Sequence, residues 1–266
     1  MSSYRSNKTF ILFSLQYCRM SKFCYLCTML DEISTVSTQL TINTRQLMKT
    51  IDRLLAEKLL HISAIVLQPE MPFTWASGWN SPIYTDNRRT LSYPDIRTFI
   101  KIELCRIIME NFSRPDAIAG VATGAIAQGA LVADELSIPY VYVRSTPKDH
   151  GMENLIEGDL RVGQKVIVVE DLISTGASSL KVVEAIRKAG CEVAGMVAIF
   201  TYGFPEAEEA FQKANVKLYT LSNYNALLDA ALETQYIKPA DLKTLQEWRK
   251  NPAEWTAPGA SKNLKL

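Results

Sequence analysis

The 266-residue chain lacks the features that mark several large classes of protein. It has no GxGxxG and no GxxxxGKS or GxxxxGKT, which excludes the usual dinucleotide fingerprint and the P-loop. Its apolar run from Phe10 to Leu15 is too short to cross a bilayer. The net charge is only +1, so the chain has no basic excess that would attract nucleic acid or a membrane surface. We therefore expect no nucleic-acid and no membrane partner.

Histidine and cysteine are also scarce, with two and five residues. Cys24 and Cys27 have the spacing of a redox or metal pair, but no second pair or neighbouring histidine accompanies them. Cys105 and Cys191 lie in apolar segments and are expected to be structural thiols. Such free thiols are consistent with a reducing compartment, and we expect the protein to be cytoplasmic.

The first 47 residues differ from the rest of the chain. They carry five basic and two acidic residues, whereas the remainder carries 24 basic and 26 acidic ones. A helical pattern begins only at Leu47, with Ile51, Leu55 and Leu59 on one face. We expect residues 1–47 to be a disordered extension or an upstream translation artefact, and Met48 to begin a functional domain covering residues 48–266.

The most informative segment is a buried strand that ends in acids. Val166 to Val169 are β-branched and apolar, as in a central parallel strand, and Glu170 and Asp171 follow at the edge where open α/β sheets bind ligands. Residues 174–178 (Ser-Thr-Gly-Ala-Ser) then lead into a helix, and a helix start of this kind binds anions. Acids beside an anion site fit a ligand that has both hydroxyls and a phosphate, so a ribose phosphate is the predicted ligand.

Strands and helices alternate around this segment. We predict strands at Asp116–Ala122 and Val193–Phe200, and helices at Tyr93–Asn111 and Ala125–Glu135, with further helices near Asn223–Leu232 and Pro239–Lys250. The fold class is therefore α/β, a mostly parallel sheet flanked by helices.

Two further segments carry candidate functional groups. The strand Tyr140–Val143 runs into a polar loop, residues 144–158, in which Arg144, Lys148 and His150 are positioned to meet a pyrophosphate. Residues 73–88 alternate aromatic and polar side chains around a glycine and a proline, which predicts two short strands joined by a turn. In the purely structural alternative, this second segment is a hairpin whose Trp75 and Trp79 lie in a core, and both interpretations can hold together.

The segment from Val166 to Ser178 closely resembles the phosphoribosyl diphosphate (PRPP) signature of the type I phosphoribosyltransferases. The resemblance implies that Glu170 and Asp171 hold the ribose hydroxyls and that the residues after them hold the 5′-phosphate. The residues that the resemblance assigns to PRPP are Arg144, Lys148, His150, Glu170, Asp171, Leu172, Ile173, Ser174, Thr175, Gly176, Ala177 and Ser178.

The spacing of Arg144, Lys148, His150 and Gly151 is similar to the catalytic loop of orotate phosphoribosyltransferases, and residues 77–86 are similar to their N-terminal hood, here about residues 48–92. This resemblance implies transfer of the phosphoribosyl group from PRPP to orotate in pyrimidine synthesis, with Arg144, Lys148, His150 and Asp171 as catalytic residues. It also implies a homodimer that shares loop 144–158 across its interface.

For the remaining ligands, the resemblance implies that orotate contacts Ser174, with Tyr84 and Tyr202 as further candidates. Mg²⁺ would bind mainly through PRPP, with Asp171 as a candidate ligand through water.

Four positions depart from the family pattern, because Ser145, Ala76, Gly124 and Tyr202 stand where relatives often carry a cation. These departures leave two alternatives open. One is a phosphoribosyltransferase for another base, and the other is a non-catalytic regulator that senses PRPP.

Overall fold

The computed structural model describes residues 50–75, 78–144 and 155–256. The chain divides into two units, Met1–Thr50 and Ile51–Leu266. The predicted boundary at Met48 lies outside the described residues. So do Ala76, Ser145, Lys148 and His150, and the predictions made for them stay predictions.

The structure begins its regular elements at Ile51. In chain order they are α1 (Ile51–His61), β1 (Ile65–Leu67), β2 (Phe73–Thr74), β3 (Asn80–Ser81), β4 (Ile83–Thr85), a 3₁₀ helix (Asn87–Ser92), α2 (Pro94–Asn111), β5 (Ala117–Val121), α3 (Ile126–Leu136), β6 (Tyr140–Val143), β7 (Ile156–Glu157), β8 (Lys165–Ile173), α4 (Ala177–Lys188), β9 (Glu192–Thr201), α5 (Pro205–Lys213), β10 (Leu218–Asn223), α6 (Tyr224–Glu233) and α7 (Asp241–Lys250).

Six strands form the central sheet in the order β10-β9-β8-β5-β6-β7. Every neighbouring pair is parallel except β6 and β7, where the short edge strand runs the other way. All five residues of β5 are buried, and Val166 to Val169 of β8 have no exposed surface. Continuous burial of β-branched residues requires cover on both faces of the sheet, so the predicted fold class is confirmed.

The order of the strands locates a crevice. The chain leaves β5 through α3 and arrives at β6 on one side, whereas it leaves β8 through α4 and arrives at β9 on the other side. Because the two connections diverge, the carboxyl ends of β5 and β8 form a switch point, which is where open α/β sheets bind their ligands.

The predicted helices occur close to their expected bounds, and α2 begins at a proline, which is well suited to the first helical position. The hood segment is only partly as predicted. The strands β2 and β3 do form a hairpin, and Gly78 in its turn has a φ of 85°. However, β4 pairs with β1, a strand that the sequence pattern did not indicate, and not with the hairpin.

Among the described residues, no helix combines the length and the apolar character that crossing a membrane requires.

Candidate active site

Strand β8 is longer than the sequence predicts, and this sets the geometry of the two acids. Its pairing with β5 ends at Val169, whereas its pairing with β9 continues to Ile173. Glu170 and Asp171 therefore lie inside a strand that has a neighbour on only one side. Successive side chains of a strand point to opposite faces, so Glu170 and Asp171 meet different surroundings although their carboxyl groups remain neighbours.

Glu170 faces the interior. Its side chain is 4% exposed, and both of its oxygens accept hydrogen bonds, from Ser179 Oγ at 2.7 Å and from the backbone N–H of Asp171 at 2.9 Å. Burial, followed by the charge of Asp171, raises the pKa of Glu170 to about 8. The predicted direct contact between Glu170 and a ribose does not fit this placement. Here Glu170 ties β8 to the first turn of α4 through Ser179.

Asp171 is the acid that the crevice presents. It is partly exposed and lies beside the turn that follows β5, because a Cβ built at Gly124 would overlap its carboxylate. Its backbone carbonyl accepts a hydrogen bond from Asn87 Nδ2 at 2.7 Å. Asp171 therefore touches elements that are distant in sequence, namely the turn after β5 and the 3₁₀ helix of the hood. The absence of a side chain at Gly124 is explained by this contact.

The turn after β8 has the form of an anion site. Ser174 to Gly176 form a bend, and α4 starts at Ala177 without a side-chain cap. The first backbone bond of the helix runs from the N–H of Leu180 to the carbonyl of Gly176, so the N–H groups before it have no acceptor within the helix. Ala177 and Ser178 are exposed there. An anion can accept hydrogen bonds from these groups.

Gly176 makes this bend possible. Its φ is 79°, and a Cβ on it would lie 2.8 Å from the ring of Phe211. Leu172 is half-buried, and Ile173 is fully buried with its carbonyl accepting a hydrogen bond from the backbone N–H of Tyr202 at 3.1 Å. Leu172 and Ile173 belong to the residues predicted to bind PRPP, but their side chains pack beneath the loop.

A second turn faces the first across the crevice. Within the described residues, the N–H groups of Thr123 and Gly124 donate no backbone hydrogen bond, so they are free to meet an anion. Tyr140 supports this turn from below, because its hydroxyl donates to the carbonyl of Ile126 at 2.6 Å and packs against Gly120.

Tyr202 lies at the end of β9 and joins several parts of the molecule. It is 2% exposed, its hydroxyl donates to Thr85 Oγ1 at 2.9 Å, and its ring lies 5.4 Å from Trp75 and 5.6 Å from Trp248. Burial raises its pKa well above the usual range of a phenol. The predicted contact between Tyr202 and orotate does not fit this placement, because both the ring and the hydroxyl are already engaged. Tyr202 instead fixes the hood to the sheet and to α7.

Tyr84 differs from Tyr202 in that it is 44% exposed, with its ring 5.6 Å from that of Phe73. It remains available to a ligand. Trp75 belongs to the aromatic cluster of Tyr202, and Trp79 stacks on it at 6.5 Å. The alternative interpretation, in which the tryptophans of this hairpin lie in a core, is therefore correct for Trp75.

Loop 144–158 has a well-defined base in the structure. Strands β6 and β7 pair through Val143 and Ile156, and the N–H of Arg144 donates to the carbonyl of Leu155 at 2.9 Å. The Arg144 guanidinium lies 3.6 Å from a carboxylate oxygen of Glu157. Its buried Nη1 makes no hydrogen bond within the described residues. Because Nη1 is also the atom that lies nearest Glu157, this ion pair holds Arg144 at the start of the predicted catalytic loop.

Sequence inspection missed two residues of this site. Ser179 closes the recognisable run, but nothing local shows that its hydroxyl reaches Glu170. Asn87 is 2% exposed and bonds to a strand more than 80 positions away, which no periodicity can indicate.

The class of protein follows from this arrangement and from a matching family model. The model described as the phosphoribosyl transferase domain matches residues 99–229, which include β5, the two turns and strands β8 to β10. The fold is that of the type I phosphoribosyltransferases, as the sequence predicted.

Comparison with individual proteins gives the family. An orotate phosphoribosyltransferase of Bacteroides thetaiotaomicron is 70% identical over 210 residues, which are 79% of this chain and 99% of the relative. The crystal structure of orotate phosphoribosyltransferase from Aeropyrum pernix has a TM-score of 0.61 at 29% identity, covering 69% of this chain and 99% of that one. The Mycobacterium tuberculosis orotate phosphoribosyltransferase, solved in complex with PRPP, has a TM-score of 0.51 at 25% identity, covering 68% and 99%. The chain belongs to the orotate phosphoribosyltransferase family.

The raised pKa of Glu170 predicts a specific dependence of stability on pH. The folded protein keeps the proton on Glu170 up to a pH of about 8, whereas the unfolded chain releases it near 4.5. Between these values the native state binds more protons, so the stabilisation that is present at low pH is lost as the pH rises through about 8. The Glu170→Gln substitution removes this cost and should be more stable than the wild type at pH 8.5, by on the order of 1 to 3 kcal/mol.

Urea unfolding of both proteins at pH 5.5, 7 and 8.5 measures the effect. The advantage of Glu170→Gln should shrink as the pH falls. An advantage of the same size at all three values would show that Glu170 does not titrate in this window.

Proposed function

We propose that the protein catalyses the reaction of its family, the transfer of the 5-phosphoribosyl group from PRPP to orotate. The products are orotidine 5′-monophosphate (OMP) and pyrophosphate. The observation that carries the proposal is the geometry of the crevice, where the exposed Asp171 lies between two turns with free N–H groups. The 70% identity over nearly the whole length of an orotate phosphoribosyltransferase favours orotate over another base and over a regulator without activity.

Different described residues bind different parts of the sugar phosphate. Asp171 accepts hydrogen bonds from the ribose hydroxyls, because it is the carboxylate that the crevice exposes. The turn from Ser174 to Ser178 binds the 5′-phosphate through the N–H groups at the start of α4. Ser174 is partly exposed and follows Asp171 closely in the sequence, so it contacts the base as well. Glu170 supports both parts from behind through Ser179.

The leaving group requires positive charge. As the bond between ribose C1 and oxygen breaks, the ribose becomes cationic and the pyrophosphate gains negative charge, so catalysis depends on preorganised donors around the pyrophosphate. The N–H groups of Thr123 and Gly124 supply two of them. Arg144, held by Glu157 at the base of the loop, supplies a third through its positive charge. Lys148 and His150 complete the set when the loop covers the site and excludes water.

Mg²⁺ is the cofactor implied by the family. The described residues contain no group of three or more His, Cys, Asp or Glu side chains that could hold a metal. The donors that are present, with Glu170 turned inward and Asp171 facing the crevice, fit an ion carried mainly by the oxygens of PRPP, with Asp171 as a ligand through water. Bound in this way, Mg²⁺ would neutralise charge on the pyrophosphate.

The assembly and location remain those expected from the family. We propose a homodimer in which loop 144–158 covers the partner's site, and the paired strands β6 and β7 support this by holding the two ends of the loop together. Cytoplasmic location is supported by the free, buried thiols of Cys105 and Cys191.

Orotate consumption tests the function, and Lys148→Ala tests the assigned loop. The wild type with Mg²⁺ and PRPP should remove orotate absorbance and leave hypoxanthine, adenine and uracil unchanged. Lys148→Ala should lower kcat by roughly 100-fold or more, because donors to developing charge carry effects of this size. Its affinity for PRPP should fall much less. Turnover of another base, or full activity of Lys148→Ala, would contradict the proposal.

Gly124→Ala tests the contact between the two turns. The added methyl group overlaps the Asp171 carboxylate, and displacement of about 1 Å at a reacting site costs roughly 100-fold in rate. We expect kcat/KM for PRPP to fall by about 10- to 100-fold. Gly163→Ala is the control for a turn glycine remote from Asp171. It has no atom near its built Cβ, and because its φ is 87° the variant should lose stability but keep its kinetics. Equal kinetics for the two variants would show that Asp171 does not depend on Gly124.

The domain boundary also stays a proposal and has its own test. We propose that residues 1–47 are dispensable, because the contacts divide the chain at Thr50 and because 79% of the chain accounts for 99% of the Bacteroides relative. A protein that starts at Met48 should fold with an unchanged midpoint in urea and keep its kcat within about twofold. An insoluble or inactive truncation would refute this.

A further inference from the structure

Orotate presents a carboxylate to a site whose own described acids are Glu170 and Asp171. An anion bound close to Asp171 needs a compensating donor, and a guanidinium suits a planar carboxylate because it offers two parallel N–H groups. Neither Gly124, whose Cβ position is taken by Asp171, nor Tyr202, whose hydroxyl is bound to Thr85, supplies such a group. The donor must come from another part of the site.

The hood brings one arginine to this edge of the sheet. Thr85 is bound to Tyr202 at the end of β9, and Asn87 is bound to the backbone of Asp171 in β8. These two hydrogen bonds fix the chain on either side of residue 86 against the carboxyl ends of the two strands. Arg88 is the next residue, so its backbone is held within one residue of a contact with Asp171.

The Arg88 side chain is preorganised by Asp86. Its Nε donates to Asp86 Oδ1 at 2.7 Å and its Nη2 to Oδ2 at 3.1 Å, and its backbone N–H donates to Oδ1 at 3.2 Å. The pairing uses two of the five N–H donors of the guanidinium and leaves its outer edge, with one parallel N–H on each of Nη1 and Nη2, for a ligand. The side chain of Arg88 remains 59% exposed.

The surroundings of Arg88 are those of a base site. The hydrogen bond to Asp86 raises the pKa of Arg88, and Tyr84 and Asp171 are close enough to add to the effect. Tyr84 exposes its ring, which suits a planar pyrimidine. A further arginine at this edge, Arg249, is already engaged, since it donates to Asn225 Oδ1 and to the carbonyl of Gly203.

We propose that Arg88, held by Asp86, binds the carboxylate of orotate and thereby determines specificity for this base. The assignment rests on the proposed function, and it names the group that reads the feature distinguishing orotate from uracil. Because the fork of Arg88 is fixed before the ligand arrives, little conformational entropy is lost on binding.

The test compares two nucleotides that differ only in this carboxylate, OMP and uridine 5′-monophosphate (UMP). Calorimetric titration of the wild type should show tighter binding of OMP. Arg88→Ala should weaken OMP binding by roughly 10- to 100-fold and change UMP binding by less than about threefold. Arg88→Lys should fall between them, because it keeps the charge but loses the fork. Arg89→Ala is the matched control, an exposed neighbouring arginine whose charge acts on Asp86 at a distance, and it should leave the preference for OMP over UMP unchanged.

Two results would overturn the assignment. If Arg88→Ala weakens OMP and UMP equally, or weakens neither, Arg88 does not read the carboxylate. If the wild type itself neither prefers OMP nor consumes orotate, the proposed function fails and the assignment fails with it. Arg88→Gln, which keeps most of the side-chain volume, repeats the comparison if Arg88→Ala does not fold, and the same loss of preference is expected.

Discussion

The site depends on a difference in length between two paired strands. The pairing between strands β5 and β8 ends at Gly120 and Val169, whereas β8 continues for four more residues against β9. The continuing part therefore has one unpaired edge, and the pleat of the strand places the side chains of Glu170 and Asp171 on opposite faces, with Glu170 buried and Asp171 partly exposed. The other parts of the crevice lie around the point where β5 stops pairing with β8. The turn after β5 passes close to Asp171 and has no room for a side chain at Gly124.

Burial of Glu170 makes the arrangement rigid. A buried carboxyl without partners is costly, but here both oxygens are satisfied, one by the backbone of its own strand and one by Ser179 in α4. The strand that carries Asp171 and the helix α4 are thus joined by one hydrogen bond. On the other side, the aromatic cluster of Tyr202, Trp75 and Trp248 holds the hood in place. The base site is framed by parts that are distant in sequence.

Much of this could be predicted from the sequence, and the reasons are local. The apolar run from Val166 to Val169 predicts a strand that is covered on both faces. Acids followed by small hydroxyl residues at the end of such a strand predict a ligand site. The type I phosphoribosyltransferase class followed from the same residues, and the orotate family followed from the loop and hood motifs. What could not be predicted depends on tertiary contact. Tyr202 was expected to face the base, but a long-range hydrogen bond to Thr85 and ring packing bury it. Asn87 and Ser179 carry no pattern of their own, because each acts through a partner that only the fold brings near.

We propose that the two neighbouring acids have different roles, with Asp171 on the sugar and Glu170 behind it. A crystal structure of the protein with PRPP and Mg²⁺ would show both acids with the ligand bound. We expect Asp171 to contact the ribose hydroxyls while Glu170 remains hydrogen-bonded to Ser179, about as in the 2.7 Å contact seen here. A structure in which Glu170 leaves Ser179 and turns to the ribose beside Asp171 would contradict it.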